Sequence, residues 1–247
     1  MDTRAFLLIL IYFHLPNQIK INQRPLHEGF TGLLDAAVLG NFFTSPSPLS
    51  ILAAILSVPN KRGVLLIVKN YTGDRVCFQI ASEMARKKGI ESEIVIVADD
   101  VSLKEEGKHA GRRGIAGTVL VHKIVGSASK MRKQFSLVEL KELAQQVSST
   151  VKTISVCTSS CVLPFEGSHG FSLKENEVWI GVGIHGEVGV RKKKIEGADQ
   201  VIEEMLESYL LPEIIDSGTK KVAVLINNLG STTNPEMSVC ARKVRIL

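Results

Sequence analysis

The sequence predicts an α/β protein made of two consecutive three-layer α/β units with mostly parallel sheets, the second unit incomplete. Three observations lead to this class. Short apolar runs rich in β-branched residues alternate with longer segments of helical period. Hydrophobic residues make up 45% of the chain and aromatic residues only 5%. A chain of 247 residues can also bury two modest cores.

The first unit begins with a strand–helix–strand pattern. Residues 63–69 and 93–97 are short apolar runs of the kind that forms buried parallel strands. A helix is predicted between them. The two strands are then expected to be parallel and joined by a right-handed crossover. The core-facing side of the helix carries Cys77, Ile80, Ala81 and Met84. Gly89 marks its end.

Later segments are assigned by the same signals. Valine-rich residues 118–124 predict a strand, and Ser136-Leu-Val-Glu139 is a capping box that starts a helix. Asp199 is the expected N-cap of another helix. The core side of that helix would carry Ile202, Met205, Leu206 and Tyr209, and further strands are predicted at 154–157, 177–182 and 221–226.

The expected organisation has three parts. Residues 1–26 form an atypical N-terminal segment, 27–150 the first α/β unit and 151–247 the second. Residues 231–247 are too few for a crossover helix and its partner strand, so the second unit is expected to be truncated.

Composition excludes several classes of function. The net charge is a mild +5 and the basic clusters are scattered without interleaved aromatic residues, which argues against nucleic-acid binding. The apolar segment 5–13 is shorter than the roughly 20 residues that span a bilayer, so no membrane association is expected. Four cysteines form neither a disulfide framework nor a metal site, although Cys157 and Cys161 are close in sequence. Buried thiols in a cytoplasmic protein are the favoured interpretation.

Ligands of open α/β sheets bind at the carboxyl ends of the strands, so polar residues at these ends are the first candidates for a binding or catalytic role. The residues in such places are Asp74, Asp99, Asp100, His122, His185, Asn227 and Asn228. Asp74 is suited either to capping a helix or to acting as a general base.

His185 lies within Gly181-Val-Gly-Ile-His-Gly186, a literal G-x-G-x-x-G. We reject a dinucleotide-binding motif because the following residues do not resemble a crossover helix, and an oxidoreductase that uses residues 181–186 is retained only as a formal rival. The glycines instead allow a ligand to approach closely. His185 is then either an exposed loop histidine or a nucleophile that adds reversibly to a carbonyl carbon. No phosphate-binding loop is present, so nucleotide binding by this chain has no support.

Several blocks resemble the K (substrate-binding) domain of the dihydroxyacetone kinase family, also called glycerone kinase or triokinase. The resemblance runs from about His27 to Gly230, and the blocks ending in Asp74 and Glu187 are the most specific. The blocks are Phe43-Thr-Ser-Pro46, Leu65-Leu-Ile-Val-Lys-Asn-Tyr-Thr-Gly-Asp74, Ala110-Gly-Arg-Arg-Gly114, Gly117-Thr-Val-Leu120, Gly181-Val-Gly-Ile-His-Gly-Glu187 and Asn227-Asn-Leu-Gly230.

The resemblance implies a glycerone kinase of glycerol metabolism that phosphorylates dihydroxyacetone, and often glyceraldehyde. His185 would hold the ketose as a covalent hemiaminal, and Asp74 would activate or orient the hydroxyl. Lys69, Thr72, Gly73, Gly183 and Gly186 are the expected substrate-binding residues. ATP and magnesium would be held by a separate L domain or subunit and not by this chain, and full-length family members are expected to be homodimers.

The sequence departs from the family at both ends. Residues 19–27 replace a glycine-rich stretch that carries a substrate-side histidine, which His27 does not match. Asn41 stands where the family usually has an acidic residue, and much of the second α/β half and the whole L domain are expected to be missing. This chain alone is therefore expected to be a weak or inactive kinase. The alternative is a catalytically inactive fragment or gene-model product, or a binding module, that retains only the fold.

Overall fold

The computed structural model describes residues 32–103, 111–131, 135–160, 170–195, 197–216, 222–228 and 232–246. The chain divides into two units. Among the described residues, the first unit contains those within 32–98 and 111–149, and the second contains those within 99–103 and 150–246. The apolar segment 5–13 and His27 lie outside the described residues.

A parallel strand pair organises the first unit. β1 (Val64–Lys69) pairs in parallel with β2 (Ser92–Val97), and α2 (Thr72–Arg86) connects them. The predicted strand–helix–strand pattern is therefore confirmed, and with it the α/β class. Gly89 follows the helix with φ of +78°, a conformation that favours glycine.

The core of the first unit lies between this sheet and the helices α1 (Pro48–Ser57) and α2. Its buried members are Ile51, Leu52, Ile55, Leu66, Val68, Ala81 and Ala85. The predicted core side of α2 is partly wrong, because Ile80 is 43% exposed. Ser82 is buried instead, since its hydroxyl lies 2.8 Å from that of Ser92 on β2.

The strand predicted at 118–124 is wrong, because this segment belongs to helix α3 (Thr118–Ser129). Its buried residues are Thr118, Val121, Val125 and Ala128, a helical spacing that extends beyond the valine-rich run. A Cβ on Gly126 would lie 2.3 Å from the Leu33 carbonyl oxygen, so the helix packs directly on another backbone segment. Tertiary packing thus overrides the β-propensity of the valines.

The predicted capping box at the start of α4 (Leu137–Thr150) is confirmed. Ser136 N–H donates to Glu139 Oε2 at 2.8 Å, and Glu139 N–H donates to Ser136 Oγ at 3.2 Å. Ala144 and Val147 on the same helix are buried.

The second unit contains an antiparallel sheet in the order β3–β4–β5. β3 (Val156–Cys157) and β4 (Glu177–Ile180) fall within predicted strands, whereas β5 (Arg191–Lys194) comes from a basic run that was not assigned to a strand. Carboxylates neutralise this run: Glu204 contacts Arg191 at 3.0 Å and Lys193 at 2.5 Å, and Glu177 contacts Lys192 at 2.6 Å. The antiparallel direction differs from the parallel sheet expected here.

Helices complete the second unit. α5 (Ala198–Met205) continues through a π-helical turn, Leu206–Leu210, into α6 (Leu211–Asp216), and α7 (Asn234–Ile246) packs on α5. The expected N-cap role of Asp199 is wrong, since Gly197 precedes the helix and Asp199 pairs instead with Arg242 of α7 at 2.6 Å. The core is formed by Val101, Ile154, Val156, Val178, Ile180, Val201, Ile202, Met205, Leu206, Leu210 and Cys240.

The strand predicted at 221–226 is also wrong for its described residues. Residues 222–228 adopt no regular secondary structure, and Val222 is 44% exposed. None of the strands in the described part of the chain pairs with this segment, so its backbone lacks the ladder that would make it a strand. No helix within the described ranges has both the length and the apolar character needed to cross a membrane.

Candidate functional site

His185 lies in the turn between β4 and β5 of the second unit, together with Gly183 and Gly186. Its backbone N–H donates to Glu187 Oε2 at 2.7 Å, and its ring Nδ1 lies 3.3 Å from Oε1 of the same carboxylate. The side chain is 30% exposed, so a small molecule can reach the ring. Gly186 has φ of +79°, which reverses the chain between His185 and Glu187.

The charge of Glu187 is set by two opposing effects. Burial raises the pKa of its carboxyl group, while hydrogen bonds from the His185 ring and from the N–H groups of Glu187 and His185 lower it. The hydrogen bonds prevail and bring the pKa to about 2. At neutral pH a carboxylate therefore faces the imidazole of His185.

Glycines at the two ends of the loop are required by packing. A Cβ on Gly181 would lie 2.5 Å from that of Ser102, and a Cβ on Gly189 would lie 2.5 Å from the Ile180 carbonyl oxygen. The loop then enters β5, whereas a dinucleotide-binding motif would open a helix.

Residues that sequence reasoning missed hold the base of this loop. The Gly181 N–H donates to the Ser155 carbonyl oxygen at 2.7 Å. The Ser155 hydroxyl donates to the Val182 carbonyl oxygen at 2.6 Å. Ser102 Oγ lies 3.5 Å from the Gly181 carbonyl oxygen. These serines are far apart in sequence and carry no periodic signal, so only the fold brings them together.

Asp99 and Asp100, both candidates for chemistry, are fully buried in the second unit. Asp100 Oδ1 accepts hydrogen bonds from Ser102 N–H at 3.0 Å and Oγ at 2.6 Å, and the Asp99 carboxylate accepts one from the Thr153 hydroxyl. Asp100 therefore supports the loop through Ser102, and both carboxylates have structural contacts.

The first unit carries the other group of candidates, where β1 leads into α2. Lys69 is the last residue of β1, and Thr72, Gly73 and Asp74 form the first turn of α2. Asp74 is half-buried and is not the N-cap, a position that Tyr71 occupies. A carboxylate in the first turn is favoured by the partial positive charge of the helix N-terminus.

Two neighbouring segments approach this turn closely. A Cβ on Gly73 would lie 2.5 Å from Ser45 Oγ, so the Ser45 hydroxyl lies directly against the first turn of α2. Asn70 Nδ2 donates to the Arg112 carbonyl at 2.7 Å. A Cβ on Gly114 would lie 2.4 Å from the Val97 carbonyl oxygen and 2.8 Å from Lys69 Cα. The Arg-Arg-Gly motif is therefore packed against the end of β1.

Three other predicted candidates have different surroundings. His122 lies on α3 and not at a strand end; burial, followed by the positive charge of Lys69, lowers its pKa to about 4. Asn227 and Asn228 lie in the irregular segment 222–228, where Asn228 Nδ2 donates to the Thr232 carbonyl at 2.5 Å.

The thiols and acidic residues offer no metal site in the parts of the chain that the structure describes. No group of three or more histidine, cysteine, aspartate or glutamate side chains there could hold a metal ion. Burial raises the pKa of the Cys157 thiol to about 11, as for an inert core cysteine. Cys161 lies outside the described residues.

Comparison with known proteins identifies the class. Residues 23–247 match the Dak1 domain. The chain is 41% identical over 225 residues to the dihydroxyacetone-binding subunit DhaK of a PTS-dependent dihydroxyacetone kinase from Listeria innocua, covering 90% of this chain and 68% of the relative.

Two solved structures have the same fold. The dihydroxyacetone kinase of C. freundii in complex with AMP-PNP and Mg²⁺ matches with a TM-score of 0.78 and 36% identity, over 98% of this chain and 42% of that one. The dihydroxyacetone kinase operon co-activator DhaQ matches with a TM-score of 0.76 and 31% identity, over 99% and 73%.

The chain therefore belongs to the Dak1 domain family. Within it, the chain is a K-type domain of the dihydroxyacetone kinases, as its motifs indicated. It spans about two thirds of the Listeria subunit and less than half of the C. freundii kinase.

Proposed function

We propose that this chain is the ketose-binding domain of a dihydroxyacetone kinase, in which His185 bonds covalently to the substrate carbonyl. The observation that carries the proposal is the held, partly exposed imidazole of His185, whose ring and backbone both contact Glu187. A three-carbon ketose offers few groups for recognition, so a reversible covalent bond supplies selectivity that hydrogen bonds alone would not.

Asp74 is proposed to activate or orient the hydroxyl that receives the phosphoryl group. Its half-buried position in the first turn of α2 supports a role for this carboxylate in hydrogen bonding to the substrate hydroxyl. Lys69, Thr72 and Gly73 are proposed to contact the substrate from the same unit. Gly183 and Gly186 are proposed to let the ketose approach His185 without a clash from side chains.

The phosphoryl donor is proposed to be ATP with Mg²⁺, bound by a separate L domain or subunit. The complex of the related C. freundii kinase with AMP-PNP and Mg²⁺ supports this assignment of the donor. Dihydroxyacetone is the proposed substrate, with glyceraldehyde as a second triose. Homodimerisation is part of the proposal for the full-length protein, as is a cytoplasmic location, which the reduced thiols of Cys77, Cys157 and Cys240 support.

A second candidate function is a ketose-responsive co-activator that binds the triose without phosphorylating it. The match to DhaQ over 73% of that chain favours this candidate. Replacement of the family's glycine-rich stretch by residues 19–27 is a second reason, because that stretch carries a substrate-side histidine in the kinases.

The proposal is tested with dihydroxyacetone labelled with ¹³C at its carbonyl carbon. In the wild-type protein, the carbon resonance of the bound ligand is expected to move from the carbonyl region to the tetrahedral region. His185→Ala should abolish this signal, whereas Ser172→Ala, an exposed change in the same unit, should keep it. A tetrahedral signal that survives in His185→Ala would contradict the proposal.

The roles of the two residues are separated by adding an L domain of the family with ATP and Mg²⁺. Asp74→Asn is expected to retain the adduct and to lose phosphoryl transfer by roughly 10²- to 10⁴-fold, the usual contribution of a general base. An adduct in the wild type without any phosphoryl transfer would favour the co-activator instead. Equal transfer rates for wild type and Asp74→Asn would refute the role of Asp74.

A further inference from the structure

Glu187 makes an unusual pair of contacts with a residue only two positions before it. One carboxylate oxygen accepts the backbone N–H of His185 at 2.7 Å, and the other lies 3.3 Å from Nδ1 of its ring. A single side chain thus fixes both the backbone and the ring of His185. The carboxylate is 35% exposed, so solvent competes with these contacts only in part.

The protonation of the ring follows from the chemistry of this contact. An ionised carboxylate can only accept hydrogen bonds, so the nitrogen that faces it must carry the proton. Glu187 is ionised at neutral pH because hydrogen bonds from His185 and from backbone N–H groups overcome its burial and bring its pKa to about 2. A neutral imidazole with a proton on Nδ1 has its lone pair on Nε2.

We propose that Glu187 is a positioning residue that fixes the His185 ring in the Nδ1–H tautomer before the ketose binds. This inference deepens the proposed function and rests on it for the identity of the reaction. The tautomer itself is a property of the free protein and can be measured without any substrate.

The addition step shows what Glu187 contributes. The Nε2 lone pair attacks the carbonyl carbon, the Nε2–C bond forms and the C=O π bond breaks to give an alkoxide. Positive charge develops on the ring, and the carboxylate of Glu187 stabilises it through Nδ1–H. The alkoxide takes a proton from water, which leaves as hydroxide, and the ring keeps its Nδ1 proton in the hydrogen bond to Glu187. The product is a hemiaminal whose imidazolium charge is balanced by the Glu187 carboxylate.

The loop keeps Glu187 where this contact requires it. Gly183 N–H donates to the Glu187 carbonyl at 3.4 Å, which closes the turn that contains His185. Val190 N–H donates to the Ile180 carbonyl at 2.8 Å, so the two ends of the loop are also joined. Rotation of the imidazole to present Nδ1 to a ligand would break its contact with the carboxylate.

A glutamine at position 187 separates positioning from a purely structural role, because it keeps the shape of glutamate. Its single carbonyl oxygen can satisfy either the His185 N–H or the Nδ1–H, but not both. The backbone N–H can only donate, so the oxygen is expected to stay there and to turn the NH₂ group towards Nδ1. Nδ1 must then act as an acceptor, which moves the ring proton to Nε2.

The experiment uses the full chain labelled with ¹⁵N-histidine and long-range ¹H–¹⁵N correlation spectra at about pH 8, above the usual histidine pKa of roughly 6.5. His185→Ala assigns the ring signals. The wild type is expected to show the Nδ1–H tautomer, and Glu187→Gln the Nε2–H tautomer. Glu175→Gln, an exposed glutamate in the same unit, is the matched control and should leave the signals unchanged.

The same variants are then given the carbonyl-labelled ketose. Glu187→Gln should weaken adduct formation about tenfold or more, the factor that one lost hydrogen bond to a charged group corresponds to. Glu187→Asp, which retains an ionised acceptor, should lose less. Circular dichroism checks that each variant is folded.

The possible failures are distinguishable. An Nε2–H tautomer or an imidazolium in the wild type would overturn the positioning role of Glu187, even if the adduct forms. An unchanged tautomer in Glu187→Gln would do the same. Absence of an adduct in a wild type that shows the Nδ1–H tautomer would refute the proposed function, and with it the assignment of Nε2 as the reacting atom.

Discussion

Replacement of Gly114 by alanine tests whether the end of β1 is held by direct backbone packing. The added Cβ would lie 2.4 Å from the Val97 carbonyl oxygen, 2.8 Å from Asn70 N and 2.8 Å from Lys69 Cα. Real Cβ atoms do not approach closer than 3.0 Å, so the first contact alone requires a shift of 0.6 Å or more. All three neighbours are backbone atoms, which cannot turn aside as a flexible side chain can.

The magnitude follows from two opposing terms. Overpacking of a rigid site costs about 1–3 kcal/mol in the free energy of unfolding. Alanine recovers about 0.4–1 kcal/mol because it restricts the unfolded chain more than glycine does. Gly89→Ala is the matched control, since its Cβ would meet nothing within 4 Å and its φ of +78° carries only the left-handed penalty of about 1 kcal/mol.

Hydrogen–deuterium exchange during urea titration is the appropriate measurement, read in peptides that cover β1 and β2. Trp179, the single tryptophan of the chain, reports on the second unit and serves as an internal check that this unit remains folded. Gly114→Ala should lower the stability of the two strands by about 1 kcal/mol net of the two terms, more than Gly89→Ala does. If Gly114→Ala is no less stable than Gly89→Ala, the packing argument is refuted.

Two further predictions concern the second unit. Glu204→Gln should lower the free energy of unfolding of this unit by about 1–3 kcal/mol, because the residue at 204, only 9% exposed, would no longer neutralise Arg191 and Lys193. Tryptophan emission during urea unfolding measures the loss. An unchanged urea midpoint would contradict this prediction. Since the folded pKa of Glu187 is lowered from 4.5 to about 2, its stabilisation is fully present above pH 4.5 and is lost between there and pH 2. The urea midpoints of wild type and Glu187→Gln should therefore converge in that window, and a constant difference would refute this.

Much of the first unit could be predicted because its signals are local. The apolar runs of β1 and β2, the glycine after α2 and the Ser136–Glu139 capping box each depend on residues close in sequence. α3 was mistaken for a strand because its valines have high β-propensity, while the contact that favours the helix, Gly126 against the Leu33 carbonyl, involves a distant residue.

The second unit was harder to predict for a physical reason. Four consecutive basic residues do not suggest a strand until Glu177 and Glu204 are known to neutralise three of them. The strand predicted at 221–226 has the right composition, but composition does not supply a neighbouring strand. In both places the outcome depends on partners that no local window contains.

The candidate residues divide in the same way. His185 and Glu187 could be found together because they lie two residues apart in one motif. Their supports could not, because Ser102 and Ser155 reach the loop from separate segments of the second unit. The burial of Asp99 and Asp100 was equally hidden, although both follow a strand as a ligand-binding carboxylate would.

Glycines explain how each unit holds its candidate residues. Gly114 lies against the end of β1, and Gly181 and Gly189 lie against Ser102 and Ile180 at the ends of the His185 loop. In each place a Cβ would collide with an atom directly behind the candidate residues, so these backbone segments are fixed by contact and not by long side chains. Gly181 and Gly189 therefore serve packing at the two ends of the loop, while Gly183 and Gly186 lie in the turn itself beside His185.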